Sequence, residues 1–288
     1  NFEVYIPHRD NEGYGFHTEA IDALKSRGVS VIITVEVGTV AHVGIAHAKE
    51  TGIDVIVTDH HEIYAEKPAA FALINPKIAP YPFPDLCGAA VAWKLVCALL
   101  IEGRKRGLKE FEAIPEGWEK WLLDLVANAT IADLVPLVGE NRALAHFGLT
   151  VLRKSPRPGI RALVSKLRLR QSELSEDDIA FSFAPRINAA SRMGTPQTAF
   201  KMLTAQNKED AETLSRELEA LNTQRKGVVA GMVREARKRM HARYTPEDRV
   251  VVLGDTTWKP SLAGLVAISL MGEQGGVVCI WGANGKGE

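Results

Sequence analysis

Hydrophobic residues change period repeatedly along the chain, and the changes mark its elements. Phe2–Ile6 alternates apolar and polar positions as a strand does. Val29–Val37 (VSVIITVEV) and Asp54–Thr58 (DVIVT) are nearly continuous β-branched runs, which predict parallel strands covered on both faces. Between them, Ala41–Thr51 has helical spacing and runs into Gly52, a suitable residue just past a helix C-terminus. Phe71–Ile74 predicts one more short strand before Asn75-Pro76. Helical spacing then dominates, over about 87–102, 118–132, 142–153, 159–166, 196–204 and 208–243. Asn207 reads as the N-cap of the last of these, with Glu209, Asp210 and Glu212 in its first turns and Gly227 and Gly231 as expected interruptions. From Arg249 the pattern returns to strand–helix–strand (RVVVLGD, LAGLVAISL, GVVCIW). The fold class predicted is therefore α/β: a doubly wound, mainly parallel sheet, a long connecting helix and the start of a second α/β domain. The expected boundaries are 1–158, 159–246 and 247–288.

Composition excludes some classes and leaves others open. With 46% hydrophobic and 24% charged residues in 288, the chain is neither disordered nor low-complexity. Lys plus Arg and Asp plus Glu balance at 35 each, so any nucleic-acid function must come from local patches. Two such patches exist. Residues 153–170 carry seven bases and no acid; residues 220–243 carry seven bases and one acid, Glu235. Each reads either as a set of phosphate contacts or as a solvated helix face. Three cysteines without CxxC spacing suit a reducing compartment, and no apolar run reaches roughly 18 residues, so the expectation is a cytoplasmic, non-membrane chain. The chain starts at Asn1 rather than Met and ends in a Gly-rich stretch, which predicts an interior piece of a longer polypeptide. Cys87 and Cys97 read as core, His42, His47 and His146 as helix-packing or capping groups, and Trp118 and Trp121 as core or interface anchors.

The candidate chemistry lies where strands end. Phe2–Ile6 runs into Pro7-His8-Arg9; Val29–Val37 holds Glu36 just before Gly38; Asp54–Thr58 runs directly into Asp59-His60-His61. Ligands in open α/β sheets sit beyond the carboxyl ends of strands, so these groups should converge on one crevice. Asp133 closes an apolar helix and is a fourth candidate. Carboxylates with imidazoles, and no thiolates, suit Mn²⁺ or Mg²⁺, and a pair of such ions serves phosphoryl transfer.

Val57-Thr58-Asp59-His60-His61 resembles the signature of the DHH phosphoesterase superfamily. Further strings resemble its RecJ branch, the single-strand-specific 5′→3′ exonucleases. They are Ile6-Pro7-His8-Arg9 with Glu12-Gly13-Tyr14-Gly15, Asp124-Leu125-Val126-Ala127 with Thr130-Ile131-Ala132-Asp133, Gly139-Glu140-Asn141-Arg142, and Pro185-Arg186-Ile187-Asn188-Ala189-Ala190-Ser191-Arg192. They occur in family order over nearly the whole chain. The resemblance implies metal ligands at Glu36, Asp59, His60 and Asp133, for two Mn²⁺ or Mg²⁺ ions in the full-length protein. It implies catalytic roles for Asp59, His60 and His61. It places Arg9 and His61 on the 5′-phosphate, and Arg186, Asn188 and Arg192 along the DNA path, with a helix-terminus network as the other reading of those three. Trp258–Ala267 resembles the opening of the accessory DHHA1 domain. The implied function is hydrolysis of single-stranded DNA from its 5′ end in repair and recombination. The implied partners are single-stranded DNA and a helicase or single-strand-binding protein, and the implied state is a monomer.

Departures from the pattern point to an impaired fragment. The upstream aspartate motif is not in this chain, position 36 is Glu where the family has Asp, and Lys259 stands where the family has His. Two other functions therefore stay open: an inactive single-strand-binding scaffold, and a phosphodiesterase of short oligonucleotides.

Overall fold

A computed structural model describes residues 2–283 apart from 10, 64, 65 and 79. The Gly-rich stretch expected after Trp281 lies from residue 284 onward outside the described residues. Two compact units emerge, Gly15–Ala184 and a second made of Asn1–Tyr14 with Pro185–Glu288.

In the first unit, α1 (Thr18–Ser26), β1 (Val31–Val35), α2 (His42–Glu50), β2 (Asp54–Thr58) and β3 (Ala72–Ile74) form a parallel sheet in the order β1-β2-β3. Parallel neighbours require a crossover, which α2 supplies between β1 and β2. Ile32, Val55, Val57 and Leu73 share one face of the sheet and pack with Ile21 of α1 and Ile45 and Ala48 of α2. Val55 and Val57 are 2% and 0% exposed, as a continuous β-branched run in a middle strand requires. Across the other face runs α3 (Gly88–Lys105). It covers that face incompletely, because Val31, Ile33 and Val35 remain about half exposed. The expectation that β1 is covered on both faces is thereby corrected: it is an edge strand of this sheet, and one of its faces stays about half exposed.

The rest of this unit is helical: α4 (Lys109–Glu112), a 3₁₀ turn (Trp118–Leu122), α5 (Leu123–Ala132), α6 (Gly139–Leu152), α7 (Pro158–Lys166), a 3₁₀ turn (Gln171–Glu173), α8 (Glu176–Asp178) and a π turn (Ile179–Phe183). α3, α5 and α6 bury Leu86, Val91, Val126 and Leu144 together. Trp118 and Trp121 are 42% and 49% exposed, so neither is a core residue. Cys87 is buried and Cys97 half-buried.

α9 (Ala184–Arg192) leads into the second unit, which continues with α10 (Pro196–Thr204), α11 (Lys208–Arg243), β4 (Val250–Asp255), α12 (Pro260–Gln274) and β5 (Val277–Gly282). β4 and β5 pair in parallel with α12 as their crossover. Met232, Ala236 and Met240 of α11 join Val251, Leu253, Leu262 and Val266 in its core. Asn207 caps α11, its Oδ1 accepting from the Asp210 N–H at 2.9 Å. The helix runs unbroken through Gly227 and Gly231, so the expected interruption does not occur. Summed over 36 residues, good helix formers and a packed apolar stripe outweigh the roughly 1 kcal/mol that each glycine costs.

The expected strand over residues 2–6 is also absent: these residues form no ladder and belong to the second unit. Alternation alone does not make a strand without a partner edge. Instead, the Glu12 carboxylate accepts from the Tyr5 hydroxyl and the His8 backbone N–H, and the side chain of Gln197 donates to the Ile6 carbonyl at 3.2 Å.

Candidate metal centre

The carboxyl ends of β1 and β2 hold the site. Thr58 donates its hydroxyl to the Thr34 carbonyl at 2.7 Å, and the Glu36 N–H donates to the Thr58 carbonyl at 2.9 Å. The chain then turns sharply, with Glu36 at φ +63° and Gly38 at φ +125°. A side chain at Gly38 would lie 2.9 Å from both Thr34 Oγ1 and Val57 Cγ1, so the turn needs glycine there. Glu36 has no such excuse. A non-glycine residue in the left-handed region costs about 1–2 kcal/mol, and such strain concentrates at functional sites.

Asp59, at the end of β2, is 2% exposed, and its carboxylate organises the loop around it. Oδ2 accepts from the Thr39 N–H at 2.9 Å; Oδ1 accepts from the His60 N–H at 2.8 Å and meets His61 Nδ1 at 2.7 Å. Burial alone would raise this carboxyl, but the donors, led by the Thr39 N–H, outweigh it and hold its pKa below the ordinary value. An ionised carboxylate only accepts, so His61 Nδ1 carries the proton and a neutral His61 presents its Nε2 as a lone pair. That side chain is 58% exposed. Asn75, 3% exposed, ties the loops together by donating to Thr39 Oγ1 at 3.0 Å and to the His61 carbonyl at 2.9 Å.

His60 points elsewhere. Its Nε2 is buried without a hydrogen-bond partner, 3.8 Å from Glu36 Oε1 and 3.8 Å from Asp133 Oδ2. One donor atom from each of these three residues lies within 4.8 Å of the others. Asp133 sits just past the last turn of α5, and Leu134 at φ +57° ends the helix behind it. A carboxylate there opposes the helix dipole, whereas a cation is attracted to that end. The flanking Glu36 and then Asp133 raise the His60 pKa against the opposing effect of burial. Burial, and then Glu36, raise the Asp133 carboxyl. Two half-exposed acids around an unpartnered ring nitrogen form an excess of negative charge and lone pairs. That donor set, two carboxylates and an imidazole, would suit a divalent cation such as Mn²⁺ or Mg²⁺. A cavity of about 330 Å³ opens beside His60 and Asp133, with Lys77, Leu86 and Leu134 in its wall.

Sequence reasoning thus located Glu36, His60 and Asp133, which come together. The Asp59 carboxylate is turned into the β2 loop, and His61 projects from the same turn. Arg9, Arg186, Asn188 and Arg192 lie in the second unit. Arg9 stacks 4.4 Å from the centroid of the Tyr14 ring; Arg186 pairs with Glu219; Arg192 donates to the Ser261 carbonyl at 3.0 Å; Asn188 is exposed. Two residues near the centre were missed. Asn75 was visible only as an Asn-Pro step after a strand. Gly88 begins α3, and a Cβ there would lie 2.5 Å from Glu36 Oε2 and 2.8 Å from Glu36 Cβ. Nothing in the sequence around Gly88 signals that contact.

Of the seven bases in 153–170, four have internal partners. Arg157 Nε bonds the buried Asp124 carboxylate at 2.8 Å, which Ser155 Oγ also meets at 2.7 Å. Arg153 donates to the Leu174 carbonyl, Arg161 to the Ser155 carbonyl and Arg170 to Glu173. That stretch is substantially a packing device.

The family model described as "DHH family, N-terminal domain" matches residues 1–130, which hold this sheet and the Glu36 and His60 positions at its strand ends. The single-stranded-DNA-specific exonuclease RecJ of Bacillus subtilis is 38% identical over 271 residues, covering 93% of this chain and 32% of that protein. The RecJ of Escherichia coli K12 is 40% identical over 241 residues, covering 82% and 41%. A crystal structure of exonuclease RecJ bound to manganese superimposes with a TM-score of 0.81 at 31% identity, covering 96% of this chain and 67% of that one. RecJ from Thermus thermophilus in complex with Mn²⁺ gives 0.79 at 30% identity, covering 92% and 38%. The chain belongs to the RecJ family. It spans about a third of the length of the first of these RecJ relatives and about two fifths of the second. Among the described residues, no helix is long and apolar enough to cross a membrane.

Proposed function

We propose that this chain carries the metal-binding half of a single-strand-specific 5′→3′ exonuclease that hydrolyses phosphodiester bonds. The carrying observation is the Glu36–His60–Asp133 triangle around an unpartnered imidazole nitrogen. Relatives described as single-stranded-DNA-specific exonucleases, and neighbours solved with Mn²⁺ or Mg²⁺, support the same reading.

Glu36, His60 and Asp133 would hold Mn²⁺ or Mg²⁺. Such an ion supplies Lewis-acid polarisation of a phosphoryl oxygen and acidifies water. Asp59 acts by position: it fixes the His60 main chain and the His61 tautomer, and direct ligation would compete with those hydrogen bonds. His61 Nε2, facing outward, accepts a proton when neutral and donates to a phosphoryl oxygen when protonated. Arg9, held over Tyr14, offers a guanidinium to the strand's terminal phosphate. Duplex DNA would have to be opened first, which is where a helicase partner enters.

The test is release of mononucleotides from 5′-phosphorylated single strands by the full-length protein in Mn²⁺. Loss of release in Asp133→Ala, with strand binding retained, is the expected result. Strand binding without cleavage in wild type would make the chain a scaffold instead.

A further inference from the structure

The cavity beside the metal centre is lined by acids, an imidazole and apolar groups, with one exception. Asp85 and Asp133 stand in its wall with His60 and residues such as Leu86, and Lys77 is the one Lys or Arg among the described lining residues.

The local sequence puts Lys77 there. Asn75-Pro76-Lys77-Ile78 follows β3 and closes as a turn, the Ile78 N–H donating to the Asn75 carbonyl at 3.1 Å. Asn at the first position and Pro at the second favour such a turn. The Asn75 side chain, already bonded to Thr39 Oγ1 and the His61 carbonyl, accepts the Lys77 N–H through Oδ1 at 2.9 Å. The buried amide that joins two strand-end loops therefore anchors the Lys77 backbone as well. At the other end of the side chain, Lys77 Nζ meets Oε1 of Glu62, the residue after His61, at 2.6 Å. The Lys77 side chain is 26% exposed.

The charge of Lys77 reaches the metal centre. Burial and then Glu36 raise the Asp133 carboxyl, and the charges of His60, His61 and Lys77 oppose them in that order. An ammonium carries three N–H donors, and the Glu62 carboxylate does not occupy them all. A phosphoryl group entering this cavity meets repulsion from Asp85 and Asp133, which a fixed cation in the wall offsets.

We infer that Lys77 is a substrate-contacting residue: its ammonium, resting on Glu62, donates to a non-bridging oxygen of the phosphoryl group at the metal centre. Naming that group a nucleotide phosphate rests on the exonuclease reading above. The placing of the cation in the cavity does not.

The experiment is binding of thymidine 5′-monophosphate, which has no phosphodiester bond to cut, to the full-length protein in Mn²⁺. Lys77→Met should bind it about tenfold more weakly, the size of one charge-assisted hydrogen bond. Mn²⁺ affinity should hold or rise, because a positive charge leaves the neighbourhood of Asp133. Glu62→Gln should bind the monophosphate as tightly as wild type or more tightly, since it frees the ammonium of its counter-charge. If Met prevents folding, Lys77→Gln reads the same loss. Equal losses in the Lys77 and Glu62 variants would make the pair a tie between two loops and overturn the contact. Unchanged affinity in Lys77→Met, or a matching fall in Mn²⁺ affinity, also overturns it, as does a wild type that binds the monophosphate no better than thymidine. A full-length protein that binds the monophosphate through Lys77 but releases no nucleotides from single strands would refute the nuclease reading and leave this contact standing.

Discussion

The Glu36–His60–Asp133 triangle of one unit and the arginines Arg186, Arg192 and Arg225 of the other, where Arg225 Nη2 donates to Asn222 Oδ1 at 3.0 Å, are built by opposite means. Glu36, His60 and Asp133 are delivered by backbone turns at a strand end and a helix end, two of them bordered by positive φ. Arg186, Arg192 and Arg225 are delivered by two ordinary helices and long side chains. Each contains buried atoms without a hydrogen-bond partner among the described residues: the His60 ring nitrogen in one, Asn222 Nδ2 and Arg225 Nε in the other. A buried polar group without an internal partner marks a place where a ligand can bind. The stretch 153–170 teaches the converse. It has more bases, but its Arg157 is neutralised by Asp124.

Four substitutions break or sharpen that contrast. The largest effect should come from His60→Ala, which removes the central ligand. Mn²⁺ affinity, measured by titration, should fall by more than about 100-fold, since supporting partners alone are worth 10–100-fold. Melting in EDTA should hardly change. A metal-independent loss of fold would instead make the triangle a structural element. Next, Arg157→Leu leaves Asp124 buried and uncompensated, and should lower unfolding free energy by about 3 kcal/mol in denaturant titration. Oligothymidylate affinity should not move. Gly88→Ala comes third. Its Cβ meets Glu36 carbons as well as an oxygen, so the carboxylate must shift, and Mn²⁺ affinity should drop about tenfold at unchanged DNA binding.

The smallest effect is a pH dependence at the carboxyl end of β4. The Asp255 carboxyl is lowered to about 2, first by the Thr257 hydroxyl and backbone N–H and then by Arg239. A depressed acid stabilises the fold above its unfolded value near 4 and loses that contribution as pH falls through about 2. The difference in melting temperature between wild type and Asp255→Asn should therefore be constant above pH 4 and shrink between pH 4 and 2.

Much of this was legible from the residues. DVIVT is bounded by a helix C-terminus and a polar tripeptide, and it forms β2 over the same five residues. The Asn207 cap and the whole of α11 were likewise readable, because capping and helical periodicity are local. Phe2–Ile6 failed because pairing is not local: its alternation carries no information about whether an edge is available. The metal triangle was legible because strand ends collect ligands, and Asp133 because an acid closes an apolar helix. What the sequence hid was the division of labour inside Asp59-His60-His61. Three adjacent polar residues gave no sign that one would be consumed by backbone N–H groups, one aimed inward and one outward. Arg225 was hidden for a related reason: in a run of seven bases, only tertiary contacts distinguish Arg239, which is paired with Glu235 and Asp255, from an arginine that is left over.

The backbone at position 36 sets a relaxed turn against a carboxylate in the candidate metal centre. Glycine there would relax the left-handed turn by about 1 kcal/mol while removing a carboxylate. A library sorted for heat resistance in chelator would therefore enrich Glu36→Gly, and the same library sorted in Mn²⁺ would discard it.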